Sequence, residues 1–330
     1  MTTTFCLLLA LTAAAADLVS DPGPTRPSVL NDPSSPVVLR IRAETAERGR
    51  VLIADVEARP HLAISSVEVR LGKHAGVAFP VAESRRSWTL LAPVDIEAQK
   101  KPLPLVVEVT LGDGHRARMI RSVSLLDGNY DHRSITVDKK FLKPSASQRR
   151  RSAREAKELK AALATTSPVR LWRGTFVKPT LGAQTSPFGT LRTYNKKRRS
   201  RHLGLDLDGA VGAPIVAANR GAVLLATERF YSGGTVVIDH GQGLMTVYFH
   251  MSRIGVTVGD EVDKGQEIGL VGATGQVTGP HLHFSVRLGG LYVDPGRLLL
   301  LDLSNDADAA RSMPSSSSSL PAPTQKIPEP

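Results

Sequence analysis

His281-Leu282-His283-Phe284-Ser285-Val286 reads as a β-strand. Residues two apart on an extended chain face the same side, so the imidazoles of His281 and His283 are expected to point together. Further back, His202-Leu203-Gly204-Leu205-Asp206 puts a histidine and a carboxylate four apart, again on one face if the segment is extended. Two imidazoles and one carboxylate form a three-ligand set that suits Zn²⁺ and leaves a fourth position for water. Water bound there has a lowered pKa and becomes a nucleophile at neutral pH. These segments offer four groups, so one histidine is left beside the ion. His250, in Tyr248-Phe249-His250-Met251 at the end of the β-like run Met245 to Phe249, offers a second free imidazole. Such a pair can accept the water's proton and stabilise or protonate a tetrahedral intermediate. His-x-His and His-x-x-x-Asp also suit strand residues that merely face solvent, so spacing alone leaves both readings open. His240, in Ile238-Asp239-His240-Gly241, follows a β run into a turn and reads as structural.

Around these segments the chain is long enough for about two domains at roughly 150 residues each. It has 330 residues, 41% hydrophobic and 22% charged, which is a globular composition. Its 28 glycines and 22 prolines favour turn-rich β structure. The one cysteine, Cys6, excludes an internal disulfide and any cysteine-cluster metal site, so a zinc site must use His and carboxylates. No apolar run reaches the roughly 18 residues of a transmembrane helix.

Phe5 to Ala16 is short, apolar and alanine-rich, ending in Ala13-Ala14-Ala15-Ala16, and resembles a secretory h-region with a small-residue cleavage site. The 17–36 stretch reads as a linker. Short β-like runs then recur with turn signals between them: Val37 to Ile41, Val51 to Val56, the alternating Ser66 to Leu71, and two runs flanking Gly112-Asp113-Gly114-His115 as a hairpin. This spacing predicts a β-sandwich of immunoglobulin-like size over 37–127. His61, His74, His115 and His132 are scattered and read as surface or structural. The 128–169 stretch reads as a basic linker with a helix, since Ala153 to Leu163 are strong helix formers with few apolar side chains. A second β unit is expected over 170–303, and a disordered Ser/Pro-rich tail over 304–330.

The net charge is +11, and the 141–201 segment alone carries +14. It reads as a solvated linker or as a contact for an anionic wall polymer or a membrane surface. Export makes nucleic acid an unexpected partner.

From about Trp172 to Pro295 the chain resembles the lysostaphin-type, or LytM-like, zinc endopeptidases that cut peptidoglycan. The matching pieces, in order, include Thr185-Ser186-Pro187-Phe188-Gly189, His202-Leu203-Gly204-Leu205-Asp206, Gly212-Ala213-Pro214, Val237-Ile238-Asp239-His240-Gly241 and Tyr248-Phe249-His250-Met251-Ser252. They end with Gly272-Ala273-Thr274-Gly275 and Gly279-Pro280-His281-Leu282-His283-Phe284. The resemblance implies an antiparallel β fold and one Zn²⁺ per chain, held by His202, Asp206 and His283. It implies His281 as general base and His250 as stabiliser of the intermediate. Gly272, Gly275 and Gly279 are expected in turn conformations that a Cβ resists. Ser285 stands where the family often has Glu, a position expected on the groove edge, and the loop Asn195 to Arg201 is unusually basic.

The fold class expected is therefore mainly β, with an N-terminal β-sandwich and a C-terminal LytM-like antiparallel β domain joined by a basic helical linker. The expected protein is an exported, periplasmic or extracellular zinc endopeptidase acting on stem or cross-bridge peptides of peptidoglycan. The alternatives are a non-catalytic wall-binding regulator of another hydrolase and a secreted peptidase acting on protein substrates.

Overall fold

The computed structural model describes residues 28–30, 34–42, 45–81, 85–136, 143–196 and 198–303. The expected signal peptide with Cys6, most of the 17–36 linker and the 304–330 tail lie outside the described residues.

The first unit contains β1 (Ser28–Leu30), β2 (Val37–Ile41), β3 (Thr45–Glu47), β4 (Val51–Ala58), β5 (Ile64–Leu71), β6 (His74–Ala75), β7 (Val77–Pro80), β8 (Ser87–Pro93), β9 (Leu103–Leu111) and β10 (Arg116–Leu126). They form two five-stranded sheets, ordered β1-β2-β4-β8-β7 and β3-β10-β9-β5-β6. Inward residues of both, such as Leu52, Val56, Leu90, Leu105 and Val107, make one apolar core. The β9–β10 connection is the expected hairpin, with Gly114 at φ +88.

The period-2 rule explains how this unit meets the second one. On β8, Leu90 and Ala92 point into the sandwich while Leu91 points out, and on β7 Ala78 points in while Val77 and Phe79 point out. The outward residues belong to the core of the second unit, with Val51 and Ile53 of β4 packed against it. The β1-β2-β4-β8-β7 sheet is thus apolar on both faces around β4, β7 and β8. Phe79 meets Trp172 edge-on at 5.8 Å, and the Arg170 guanidinium lies over both rings.

The connector differs from a linker with a helix alone. It contains β11 (His132–Ile135), which pairs in parallel with β13 (Leu191–Tyr194), itself antiparallel to β14 (Arg198–Arg201). Residues 132–135 lack the apolar alternation that marks a strand in sequence, and backbone pairing makes this one. Helix α1 (Ala146–Ala162) starts with a capping box, in which Gln148 N–H donates to Ser145 Oγ and Ser145 N–H donates to Gln148 Oε1. Mostly exposed, it docks through polar groups. Its one buried side chain, Glu155, accepts the Phe230 N–H at 2.9 Å, and Arg229 donates to the Glu155 carbonyl.

The second unit adds β12 (Gln184–Ser186), β15 (Leu205–Asp208), β16 (Pro214–Val216), β17 (Gly221–Arg229), β18 (Gly233–Asp239), β19 (Leu244–Ile254), β20 (Glu261–Val262), β21 (Glu267–Val271), β22 (His281–Leu288) and β23 (Leu291–Val293), with a short α2 (Pro295–Leu298). Its antiparallel sheet runs β12-β15-β22-β19-β18-β17-β20, with β16, β21 and β23 paired at its margins. Every residue of β18 is buried. Of the three loop glycines, only Gly275 has a positive φ, at +77. Gly272 is instead a close approach, where a Cβ would meet the Ser252 nitrogen at 2.4 Å, and a Cβ on Gly279 would meet nothing.

His240 lies in the core of this unit, with no solvent exposure. Its Nδ1 donates to the Arg220 carbonyl at 2.8 Å and its Nε2 lies 2.8 Å from Thr246 Oγ1, which contacts Tyr248 Oη. Burial pushes its pKa down to about 4. The unfolded chain, with a histidine pKa of about 6.5, therefore takes up a proton first as pH falls. Stability from this group is complete above about pH 6.5 and is lost as pH falls toward 4, by about 3 kcal/mol at ~1.4 kcal/mol per pKa unit. Urea midpoints measured between pH 7.5 and 4.5 are expected to fall more steeply for the native protein than for His240→Gln; equal slopes would contradict this account.

Candidate metal centre

Strands β15 and β22 run antiparallel with Asp206 opposite His283 and Asp208 opposite His281. Directly opposed residues project from the same face. The period of two then puts Asp206, Asp208, His281 and His283 on one side of the sheet. His202 precedes β15, and the chain bends at Gly204 between them. The i, i+4 relation therefore closes through a bend rather than along one extended strand. A Cβ at Gly204 would lie 2.5 Å from the Phe284 oxygen and 2.6 Å from His283 Nε2, so only glycine lets this bend sit against β22.

The result is a triangle of donor atoms. His202 Nε2 lies 2.9 Å from Asp206 Oδ1 and 2.9 Å from His283 Nδ1, and the last two are also 2.9 Å apart. The outer atoms of all three groups are tied elsewhere. His202 Nδ1 donates to the Pro187 carbonyl at 2.8 Å, His283 Nε2 meets Ser285 Oγ at 2.9 Å, and Arg192 donates to Asp206 Oδ2. Such outer bonds fix ring orientation and tautomer in metal sites. Phe249 stacks on His283 at 5.3 Å and holds its plane. Burial pushes the His283 pKa down to about 4, and bonds from His202 and His283 hold the Asp206 carboxyl far below the usual range despite its burial. Two imidazoles and a carboxylate thus converge in a buried space, a donor set that fits a metal ion once the inward ring nitrogens are deprotonated.

Two further histidines stand at its edge. His250 and His281 have ring centroids 4.9 Å apart, and His281 Nε2 is 3.7 Å from Asp206 Oδ1. Their Nδ1 atoms donate to the carbonyls of Thr274 and Gly279, in one loop, which leaves each Nε2 for another partner. His250 sits at φ +68 beside a bulge in the β18–β19 pairing. Backbone held in this region by a residue with a Cβ is the kind of strain that clusters at functional sites. Burial, with His283 and His281 nearby, pushes its pKa down to about 3. All five residues singled out in the sequence therefore share one site.

The site opens into a groove of about 390 Å³, lined by Arg133, Ile135, Tyr194, Asp208, Gln276 and His281 among others. Ser285 is not on the groove edge. It is buried beneath His283, because the strand alternation that turns His281 and His283 to the groove turns Ser285 into the same layer behind the ring. Arg192 was not marked by any motif, although the alternation Arg192-Thr193-Tyr194 puts it on the groove face with Tyr194. Arg133 carried no signal, since its place depends on the β11–β13 pairing. The basic 141–201 segment is partly consumed inside the protein: Arg192 on Asp206, Arg170 over Phe79 and Trp172, and Arg201 on Glu97 of the first unit.

Residues 200–295 match Peptidase family M23. Over 94 residues the chain is 44% identical to the peptidoglycan DD-endopeptidase ShyA of Vibrio cholerae, covering 28% of this chain and 22% of that protein. It is 36% identical over 110 residues to the DD-carboxypeptidase/endopeptidase Mpg of Neisseria meningitidis, covering 33% of this chain and 25% of that protein. The chain thus spans about a quarter or less of the length of these curated relatives. A crystal structure of a peptidase M23 candidate from Pseudomonas aeruginosa superposes with a TM-score of 0.57 at 28% identity, over 76% of this chain and 94% of that one. The matched residues enclose all three donor groups and both flanking histidines, so the 200–295 stretch is a Peptidase family M23 domain.

Proposed function

We propose that this protein is a zinc-dependent endopeptidase that hydrolyses peptide bonds in the stem or cross-bridge peptides of peptidoglycan, in the periplasm or outside the cell. The observation that carries the reading is the triangle of His202 Nε2, Asp206 Oδ1 and His283 Nδ1 with two acceptor imidazoles beside it. The named activities of the M23 relatives supply the substrate class.

One Zn²⁺ per chain, held by those three atoms, would supply Lewis-acid polarisation of the scissile carbonyl and an acidified water. The chain's own groups handle the protons. His281, held at Nδ1 by Gly279, presents Nε2 as the general base closest to the donor triangle. His250, held at Nδ1 by Thr274, is kept neutral by burial and also begins as an acceptor. The one proton that His281 takes from the attacking water at Nε2 is passed to the leaving nitrogen as the C–N bond breaks. Arg192 keeps Asp206 Oδ2 occupied, so the carboxylate offers Oδ1 alone to the triangle.

Asp206→Ala is expected to lose its zinc, from about one to under ~0.1 per chain by elemental analysis, because a three-ligand site cannot spare its only anion. Zinc content matching the native protein would remove Asp206 from the ligand set. His281→Ala is expected to keep its zinc yet release peptides from purified sacculi at least ~100-fold more slowly, the loss typical of a missing general base. Native rates in that variant would assign the base to another group, and native protein that releases nothing from sacculi, zinc-loaded, would overturn the hydrolase reading.

A further inference from the structure

The groove has one wall that does not come from the residues matched to the family. Strand β11, in the connector between the two units, pairs in register with β13, His132 opposite Leu191 and Ile135 opposite Tyr194. Alternation sorts its side chains. His132 faces away, with Nε2 2.8 Å from Thr193 Oγ1, while Arg133 and Ile135 share the groove face with Arg192 and Tyr194.

The two arginines of this face, opposite each other in register, differ in what they hold. Arg192 is largely buried and committed to Asp206 and Ser186. Arg133 is 46% exposed; its guanidinium donates to the Thr185 carbonyl at 3.3 Å and lies 3.5 Å from Asp131, which is itself 61% exposed. An ion pair this exposed contributes little and is readily exchanged for a better-placed partner. The planar guanidinium fork matches a carboxylate with two parallel hydrogen bonds.

Among the described residues that line the groove, the other charged groups are Asp206, which is tied to the donor triangle, and Asp208 on the floor beside His281. The floor is therefore anionic and the β11 wall cationic. The β11 wall and the floor carrying Asp206 and His281 line one groove of about 390 Å³, so a negative group recognised at the wall belongs to a substrate residue close to the scissile bond.

We propose that Arg133 is a specificity-determining residue that binds a free carboxylate on the substrate residue adjoining the scissile peptide bond. Ile135 and Tyr194 provide the apolar surface beside it. The proposal rests on the hydrolase reading above for its substrate class. It goes further in assigning a binding group from outside the matched residues 200–295.

The test compares cross-linked muropeptide dimers purified from sacculi with the same dimers after their carboxylates are converted to carboxamides. Binding is measured by calorimetry to zinc-loaded full-length His281→Ala protein, so that affinity is read without turnover. Cleavage of both dimers is measured with native protein. Loss of a charge-assisted pair predicts that amidation weakens binding by about 10- to 100-fold and that the native enzyme loses kcat/KM by a similar factor, mainly through KM. Adding Arg133→Gln is expected to shrink the discrimination to under ~3-fold at unchanged melting temperature, and Arg133→Lys to restore part of it.

Equal binding of both dimers, or discrimination that survives Arg133→Gln, would overturn the proposal even if cleavage proceeds normally. Discrimination in binding that depends on Arg133, with no cleavage by native protein, would leave the carboxylate site standing and sink the hydrolase reading instead.

Discussion

The antiparallel register of β15 against β22 is the constraint on which the site depends. It sets Asp206 opposite His283 on one face, where their side chains bring two of the three donor atoms to 2.9 Å. A slip of one residue would turn every side chain of β15 to the other face. That slip is blocked because Leu205 and Leu207 alternate with the two aspartates and are buried in the apolar core. Hydrophobic packing behind the sheet thus fixes the polar geometry in front of it. Gly204 extends the same logic, since its missing Cβ lets the segment carrying His202 close onto β22.

Bringing these groups together is unfavourable in itself. A buried carboxylate and two imidazoles packed within hydrogen-bonding distance would be costly without compensation. The compensation is arranged in a surrounding layer of Pro187 carbonyl, Ser285 hydroxyl and Arg192 guanidinium, each holding the far atom of one donor. Removing any of them would free a rotation or tautomer and loosen the triangle. Ser285 is instructive here: a short hydroxyl fits under the ring in a fully buried layer, where a longer carboxylate would need both space and a partner.

How much of this was legible in the sequence follows from which features are local. His281-x-His283 on a strand and His202 to Asp206 are short-range patterns, and the family's motif order makes the five residues a set. The β strands of the first unit were legible from spaced β runs, because alternation is also local. What could not be read was anything decided by pairing between distant segments. The outward faces of β7 and β8 look like ordinary half-buried strands, and only the contact of Phe79 with Trp172 shows that they close a second core. The 128–169 segment read as linker because His132-Arg133-Ser134-Ile135 has no apolar face. Arg192 was within reach of an alternation argument, while Arg133 was not.

A polar four-residue strand has no reason to form on its own, since even two-stranded pairings are marginal in water. Its persistence in the groove wall has to come from its ends. Just before it, Tyr130 packs edge-on against Phe188 and bonds the Arg48 carbonyl of the sandwich, and a Cβ at Gly189 would collide with its ring. After it, helix α1 is fixed to the second unit through Glu155 and, at its C-terminal end, through the Leu163 carbonyl that accepts from Arg287. Both anchors tie the strand to the second unit, so the entropy of ordering it is largely met by contacts made elsewhere. The double-faced sheet then has a role beyond stability. By fusing the sandwich to the second unit through Val77, Phe79 and Leu91, it fixes where the connector begins, and so where Arg133 stands above the groove.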